Sequence, residues 1–220
     1  MKTAYNFKYI LALILILAFF TGCASIPKAR FASVPQVTES NAIGKIYVGP
    51  FLDLRKGGDT DTTILGTIRG GYGNPWTRIR DTRGADEFVR EQIINAARTE
   101  DIIADRKPNN LIVQREGNKW LIENDKAERR PILVGAIKNL KVETMFNRGT
   151  IVDIAVELID PSTNKSIWKS TLVKNDHAGM SGGIFDSSKA LKNWLAKTVE
   201  DPALALFASP EFRKVIKNKK

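Results

Sequence analysis

The chain has 220 residues, with 34 Lys and Arg against 24 Asp and Glu, and a formal charge of +10. One cysteine and one histidine exclude a disulfide framework and leave too little for a thiolate or imidazole metal site, so neither a metal nor a cofactor is expected. So basic a balance suits nucleic acid in the cytosol, but the first residues point to export and make nucleic acid a poor partner.

Lys2 and Lys8 precede an apolar run, Ile10 to Phe20, followed by Thr21, Gly22 and Cys23. The run is about 11 residues long, and crossing a bilayer takes roughly 20. It reads as a cleaved export signal over residues 1–22, not a permanent span. Phe20-Thr21-Gly22-Cys23 resembles the bacterial lipobox, with Phe20 where leucine is usual. That resemblance implies cleavage before Cys23, a diacylglycerol on its thiol and an acyl chain on the new amine. One buried acyl chain anchors only marginally, whereas several on one residue hold firmly. The alternatives are an ordinary export signal with a chance cysteine, or a buried free thiol. Ala24 is not the aspartate that keeps such proteins in the inner membrane. The expected place is therefore the outer membrane of a bacterium, lipid-anchored and facing the periplasm.

Residues Ala24 to about Asn41 are rich in Ser, Pro, Thr and Ala. With Cys23 they read as a lipidated flexible tether, 23–41, able to reach on the order of 60 Å when extended. A single periplasmic domain is expected over 42–220. Its first strand is Lys45 to Phe51, with Ile46, Val48 and Phe51 inward. Pro50 suggests that the strand ends there or lies at an edge. Lys56 to Gly84 reads as a long glycine-rich connection, broken by a strand-like patch at Thr62 to Leu65.

Ala85 to Thr99 has Ala85, Phe88, Val89, Ile93, Ala96 and Ala97 on one stripe, which predicts an amphipathic helix. Asp86 and Glu87 favour its N-terminal dipole. The polar stretch Asp105 to Arg130 suggests a small hairpin, Leu111–Gln114 and Lys119–Ile122, turning at Gly117-Asn118. Ile132–Phe146, Ile151–Ile159 and Ser166–Lys174 then alternate as three strands, predicting an antiparallel meander with one wet face. A helix capped by Asp186 or Ser187 follows, burying Ala190, Leu191, Trp194, Leu195 and Val199. Asp201-Pro202 and Ser209-Pro210 each look like an N-cap followed by proline at the first helical position, predicting two further short helices. The order predicts an α+β domain, a mostly antiparallel sheet with helices packed on one face.

Gly179-Met180-Ser181-Gly182-Gly183 matches the nucleophile-elbow spacing. That architecture needs its histidine after the serine and a parallel sheet beneath it. The sole histidine, His177, comes first, and the sheet reads antiparallel. No enzymatic activity and no catalytic residue are expected. Gly70-Gly71-Tyr72-Gly73-Asn74 has no Gly-Lys-Ser/Thr ending and so is no phosphate loop. The surrounding stretch still gathers Arg69, Tyr72, Trp76, Arg78 and Arg80. Trp, Tyr and Arg dominate binding hot spots. The stretch reads equally as a partner-binding loop or as cover over the sheet. Arg69, Tyr72, Trp76 and Arg78 are the candidate contact residues. Asp53 with Arg55 reads as an ion pair or turn bond.

The lipobox, Val48-Gly-Pro-Phe-Leu-Asp53-Leu-Arg55, Leu65-Gly66-Thr67-Ile68-Arg69 with the following Gly-Tyr-Gly-Asn-Pro, Glu87-Phe-Val-Arg, and Ile132-Leu-Val-Gly135-Ala-Ile137 together resemble the YajG-type family of bacterial envelope lipoproteins. The resemblance runs from Lys45 to Val199. The segment Asp105–Arg130 is longer than the family pattern, and the proline-capped helices after Val199 are extra. The family carries no established enzymatic activity. The resemblance implies a non-enzymatic binding or accessory component of an envelope assembly, with an envelope protein as partner. The alternative is a module that binds an anionic glycan or lipid, such as peptidoglycan or lipopolysaccharide, through its positive charge.

Overall fold

A computed structural model describes residues 36–55, 61–69, 75–124, 129–144, 147–179 and 188–217. The expected signal, Cys23 and most of the expected tether lie outside the described residues. The elements in chain order are β1 (Gly44–Asp53), β2 (Ile64–Arg69), β3 (Pro75–Arg80), α1 (Ala85–Thr99), β4 (Ile102–Arg106), β5 (Leu111–Glu116), β6 (Lys119–Asn124), β7 (Ile132–Thr144), β8 (Asn147–Asp160), β9 (Lys165–Gly179), α2 (Ser188–Ala208) and α3 (Pro210–Lys217). The fold is α+β. Among the described residues, seven strands form one sheet and β5 and β6 form a separate hairpin.

The long strand β7 organises the sheet. One edge of β7 pairs antiparallel with β8, which pairs antiparallel with β9. This is the expected meander, and its register places Val152, Ile154, Val156 and Leu158 in the core. The other edge of β7 is shared by two strands in succession. Tyr47–Asp53 of β1 pairs parallel with Ile132–Ile137, and Thr67–Ile68 of β2 pairs parallel with Glu143–Thr144. β4 lies parallel outside β1, and β3 lies antiparallel outside β2. The sheet is therefore mixed around β1, with its antiparallel part in the meander and the β2–β3 hairpin.

Two sequence expectations are corrected and one holds in part. Pro50 does not end β1, which runs to Asp53, but it lies beyond the β4 ladder, where among the described residues only β7 flanks the strand. The ladder to β4 stops at Val48, and the β7 register breaks between Val48 and Phe51. Pro50 thus sits in a bulge where a missing N–H costs no ladder bond. The connection after Lys56 is not a loop throughout, because Ile64–Arg69 and Pro75–Arg80 pair as a hairpin. Asp201-Pro202 does not start a helix. Pro202 lies inside α2, and Ala203, Leu206 and Phe207 beyond it are buried, so packing carries the helix through. The second proline signal holds: Ser209 Oγ accepts from the Phe212 amide at 3.4 Å, at the start of α3.

Among the described residues, three helices cover the same face of the sheet, α1 over β1 and β4, α2 over β8 and β9, and α3 over β1 and β9. The predicted stripe of α1 is buried throughout. It meets Ile46, Val48, Phe51, Ile137, Leu140 and Leu172 in one core. Burying a large aliphatic or aromatic side chain stabilises by about 1.5–3 kcal/mol, so this face supplies most of the driving force. α3 is fixed by Phe212, whose ring stands edge-on to Trp168 at 4.9 Å and to Phe207 at 5.1 Å. The opposite face is only partly wet, because the β5–β6 hairpin lays Leu111, Trp120 and Ile122 over Ile132, Val134 and Ile159.

Candidate functional site

The candidate contact segment is the β2–β3 hairpin. It joins the main sheet through a short parallel contact with β7, too little to fix its direction alone. Three ion-pair clamps at its root do the rest. In the first, Asp53 at the end of β1 accepts from Arg55 Nε at 2.7 Å and from Nη2 at 2.6 Å. Arg55 Nη1 also donates to the Ile64 carbonyl at 2.6 Å, tying β1 to the start of β2. The expected Asp53–Arg55 pair is thus a strut between strands.

The second clamp joins β3 to the segment before β2. Asp61 accepts from the Thr63 amide at 3.0 Å, from the Thr63 hydroxyl and from the Arg80 guanidinium. Arg80 also donates to Thr63 Oγ1 at 2.9 Å. The Thr63 hydroxyl, then the Arg80 guanidinium, then the Thr63 amide bring the Asp61 carboxyl down to about 2. The third clamp ties the end of β3 to α1. Asp81 accepts from Arg83 Nε at 3.0 Å and Nη2 at 2.6 Å, and Arg83 Nη1 donates to Glu91 at 2.6 Å. Burial pushes the Asp81 carboxyl up, but the Arg83 side-chain and backbone hydrogen bonds outweigh it and the net pKa is lowered. Asp81 in turn raises Arg83 against its partial burial, with Glu91 helping.

Beyond this root, Thr67 pairs with Arg78, Ile68 with Thr77 and Arg69 with Pro75, leaving Trp76 as the extra residue of a bulge. Arg69, Trp76 and Arg78 are thus brought into one hairpin end. Ile79 is buried in the core, and Arg78 is exposed. Tyr72 and Cys23 lie outside the described residues, as does Ser181. His177 is in β9, paired with Gly149 in the antiparallel meander. Among the described residues, no further strand pairs with β3, so the strand carrying Trp76 and Arg78 is a sheet edge. Such an edge can accept a strand from another chain.

Sequence reasoning groups Arg78 with Arg80 but does not separate their roles. Arg80 is held in the Asp61 clamp, while Arg78 stands exposed. The available signal is a carboxylate at each root, Asp61 and Asp81. Their partners depend on register, which spacing alone does not give.

No family model matches the sequence, and no curated protein does. Among solved structures, a protein from Xanthomonas campestris is similar at 9% identity and a TM-score of 0.46, over 84% of this chain and 89% of that one. A PelC dodecamer from Paraburkholderia phytofirmans is similar at 18% identity and a TM-score of 0.38, over 79% and 93%. Lipoprotein GNA1162 from Neisseria meningitidis is similar at 12% identity and a TM-score of 0.26, over 72% and 99%. Similarity of that degree assigns no function to this chain.

Proposed function

We propose that this protein is a non-enzymatic accessory component of a bacterial envelope, held at the periplasmic face of the outer membrane through Cys23. The β2–β3 hairpin is its contact surface for an envelope protein. The observation that carries this reading is an edge strand, bearing Trp76 and exposed Arg78, on a root fixed by three clamps. A rigid root matters because ordering a loop on binding subtracts from affinity. An arginine-rich edge favours an acidic strand or loop on the partner, with backbone pairing for affinity and charge for choice.

A photoreactive residue replacing Trp76 tests the contact in intact cells, with the same residue at exposed Gln114 as control. A protein adduct formed from position 76 only is expected, and mass spectrometry of that band names the partner. Equal adducts from both positions, or none, would remove the hairpin from the interface. The anchor is tested separately by labelling cells with a fatty acid. Label on the parent and none on Cys23→Ala is expected; label on both variants rules out the cysteine as the attachment point.

A further inference from the structure

The β5–β6 hairpin covers only part of the sheet face opposite the helices. Beside it lies a cleft of about 280 Å³. The cleft exists because small residues occupy one row across three strands, Ala136 opposite Ala155 and Ala155 opposite Thr171. The next row ends in Glu157 and Lys169, paired at 3.0 Å. The hairpin side is walled by Arg115 and Trp120, a cross-strand pair whose guanidinium stands 5.9 Å above the indole centroid.

Arg115 is the informative residue. Its Nη2 donates to Asn118 Oδ1 at a long 3.4 Å, and its Nε is buried without a hydrogen-bond partner. Among the described residues no carboxylate pairs with it, although Glu157 lines the same cleft. A guanidinium presents a planar fork that fits a carboxylate, and leaving it under-bonded is unfavourable. Ala136 and Ala155 form an apolar floor, while Glu157 and Thr171, on the same face of the sheet, offer hydroxyl partners around it.

We propose that this cleft binds a carboxylated monosaccharide unit, its carboxylate on Arg115, one CH face on the alanine floor and its hydroxyls toward Glu157 and Thr171. An alkyl chain would leave that polar rim without partners. A phosphate dianion would meet a single unpaired cation with a carboxylate nearby. The site stands apart from the β2–β3 hairpin and does not depend on its role.

The Trp120 indole N–H resonance of the full chain in detergent reports on the cleft. Titration with D-glucuronate is expected to shift it saturably, with D-glucose and acetate each binding at least about tenfold more weakly. Arg115→Gln should weaken glucuronate by about tenfold or more, the loss of a charge-assisted contact. Ala155→Leu, which fills the floor and leaves Arg115 in place, should abolish the shift. No saturable shift in the parent chain, glucose or acetate binding as tightly as glucuronate, or unchanged binding in either variant would each overturn the proposal.

Discussion

Gly135 of β7 lies against the ring of Phe51 in β1, so close that a Cβ there would stand 2.3 Å from Phe51 Cε1. It would also meet the Ala155 carbonyl oxygen at 2.8 Å. The two residues are register partners in the parallel β1–β7 ladder. Glycine is required here by close approach, not by backbone angle. Gly135→Ala is expected to destabilise the domain by about 1–3 kcal/mol through overpacking. Urea unfolding measures it, and an unchanged midpoint would show that Phe51 can turn aside freely.

Asp61 gives the hairpin root an acid limit. Its folded pKa is about 2 against an ordinary value of 3.8. A carboxyl lowered on folding contributes stability that is present above the unfolded value and lost as pH falls through the folded one. Asp61→Asn should therefore be less stable than the parent at neutral pH. The gap should shrink as pH falls from about 4 toward about 2. Thermal unfolding of both proteins across that window checks this; a gap that stays constant would place the loss in packing, not charge.

Pro202 interrupts the hydrogen bonding of α2. It has no N–H for the carbonyl of Thr198, four residues earlier, and proline inside a helix is unfavourable by about 3 kcal/mol. Pro202→Ala should raise stability by about 1 kcal/mol or more, since the proline also stiffens the unfolded chain and part of the gain is lost there. Denaturant midpoints decide the sign. A lower midpoint would mean that the helix needs its interruption to seat Leu206 and Phe207.

The hairpin end should be separable from the fold. The double variant Tyr72→Ala, Trp76→Ala is expected to keep the parent's circular dichroism and unfolding midpoint within about 0.5 kcal/mol, yet fail to complement a deletion. Arg78→Glu, exposed in β3, should weaken partner capture in a salt-dependent way. Full complementation by the double variant would return the hairpin to the role of sheet cover.

The helix α1 was legible to its ends, because its apolar stripe and acidic first turn agree with one another. The meander was legible for the same reason, with period-two alternation in each strand. β4 was not: Ile102-Ile103-Ala104 is a short apolar run between charges, and its parallel partner is β1, far away in sequence. Gly66 and Pro75 made the β2–β3 segment read as a loop, since neither residue favours a strand. Each lies beside a register break, Gly66 in β2 and Pro75 in the edge strand β3, which reconciles them with pairing. At the candidate site, Arg78 was legible only as one of several arginines in a segment that reads equally as contact loop or sheet cover. The division of labour between Arg78 and Arg80 was not, because it depends on Asp61 nineteen residues earlier.

The helix α3 reaches back to the first strand of the sheet. Ile216 of α3 packs over Gly44 at the start of β1, where a Cβ would lie 3.1 Å from it. Arg213 beside it ties α3 to Glu100 at the end of α1, at 2.5 Å. The start of β1 is therefore covered by the helix farthest from it in sequence among the described elements, while α1 covers the rest of the strand. The same contact joins the first and last elements of the described fold, so loosening α3 also bares the entry to β1.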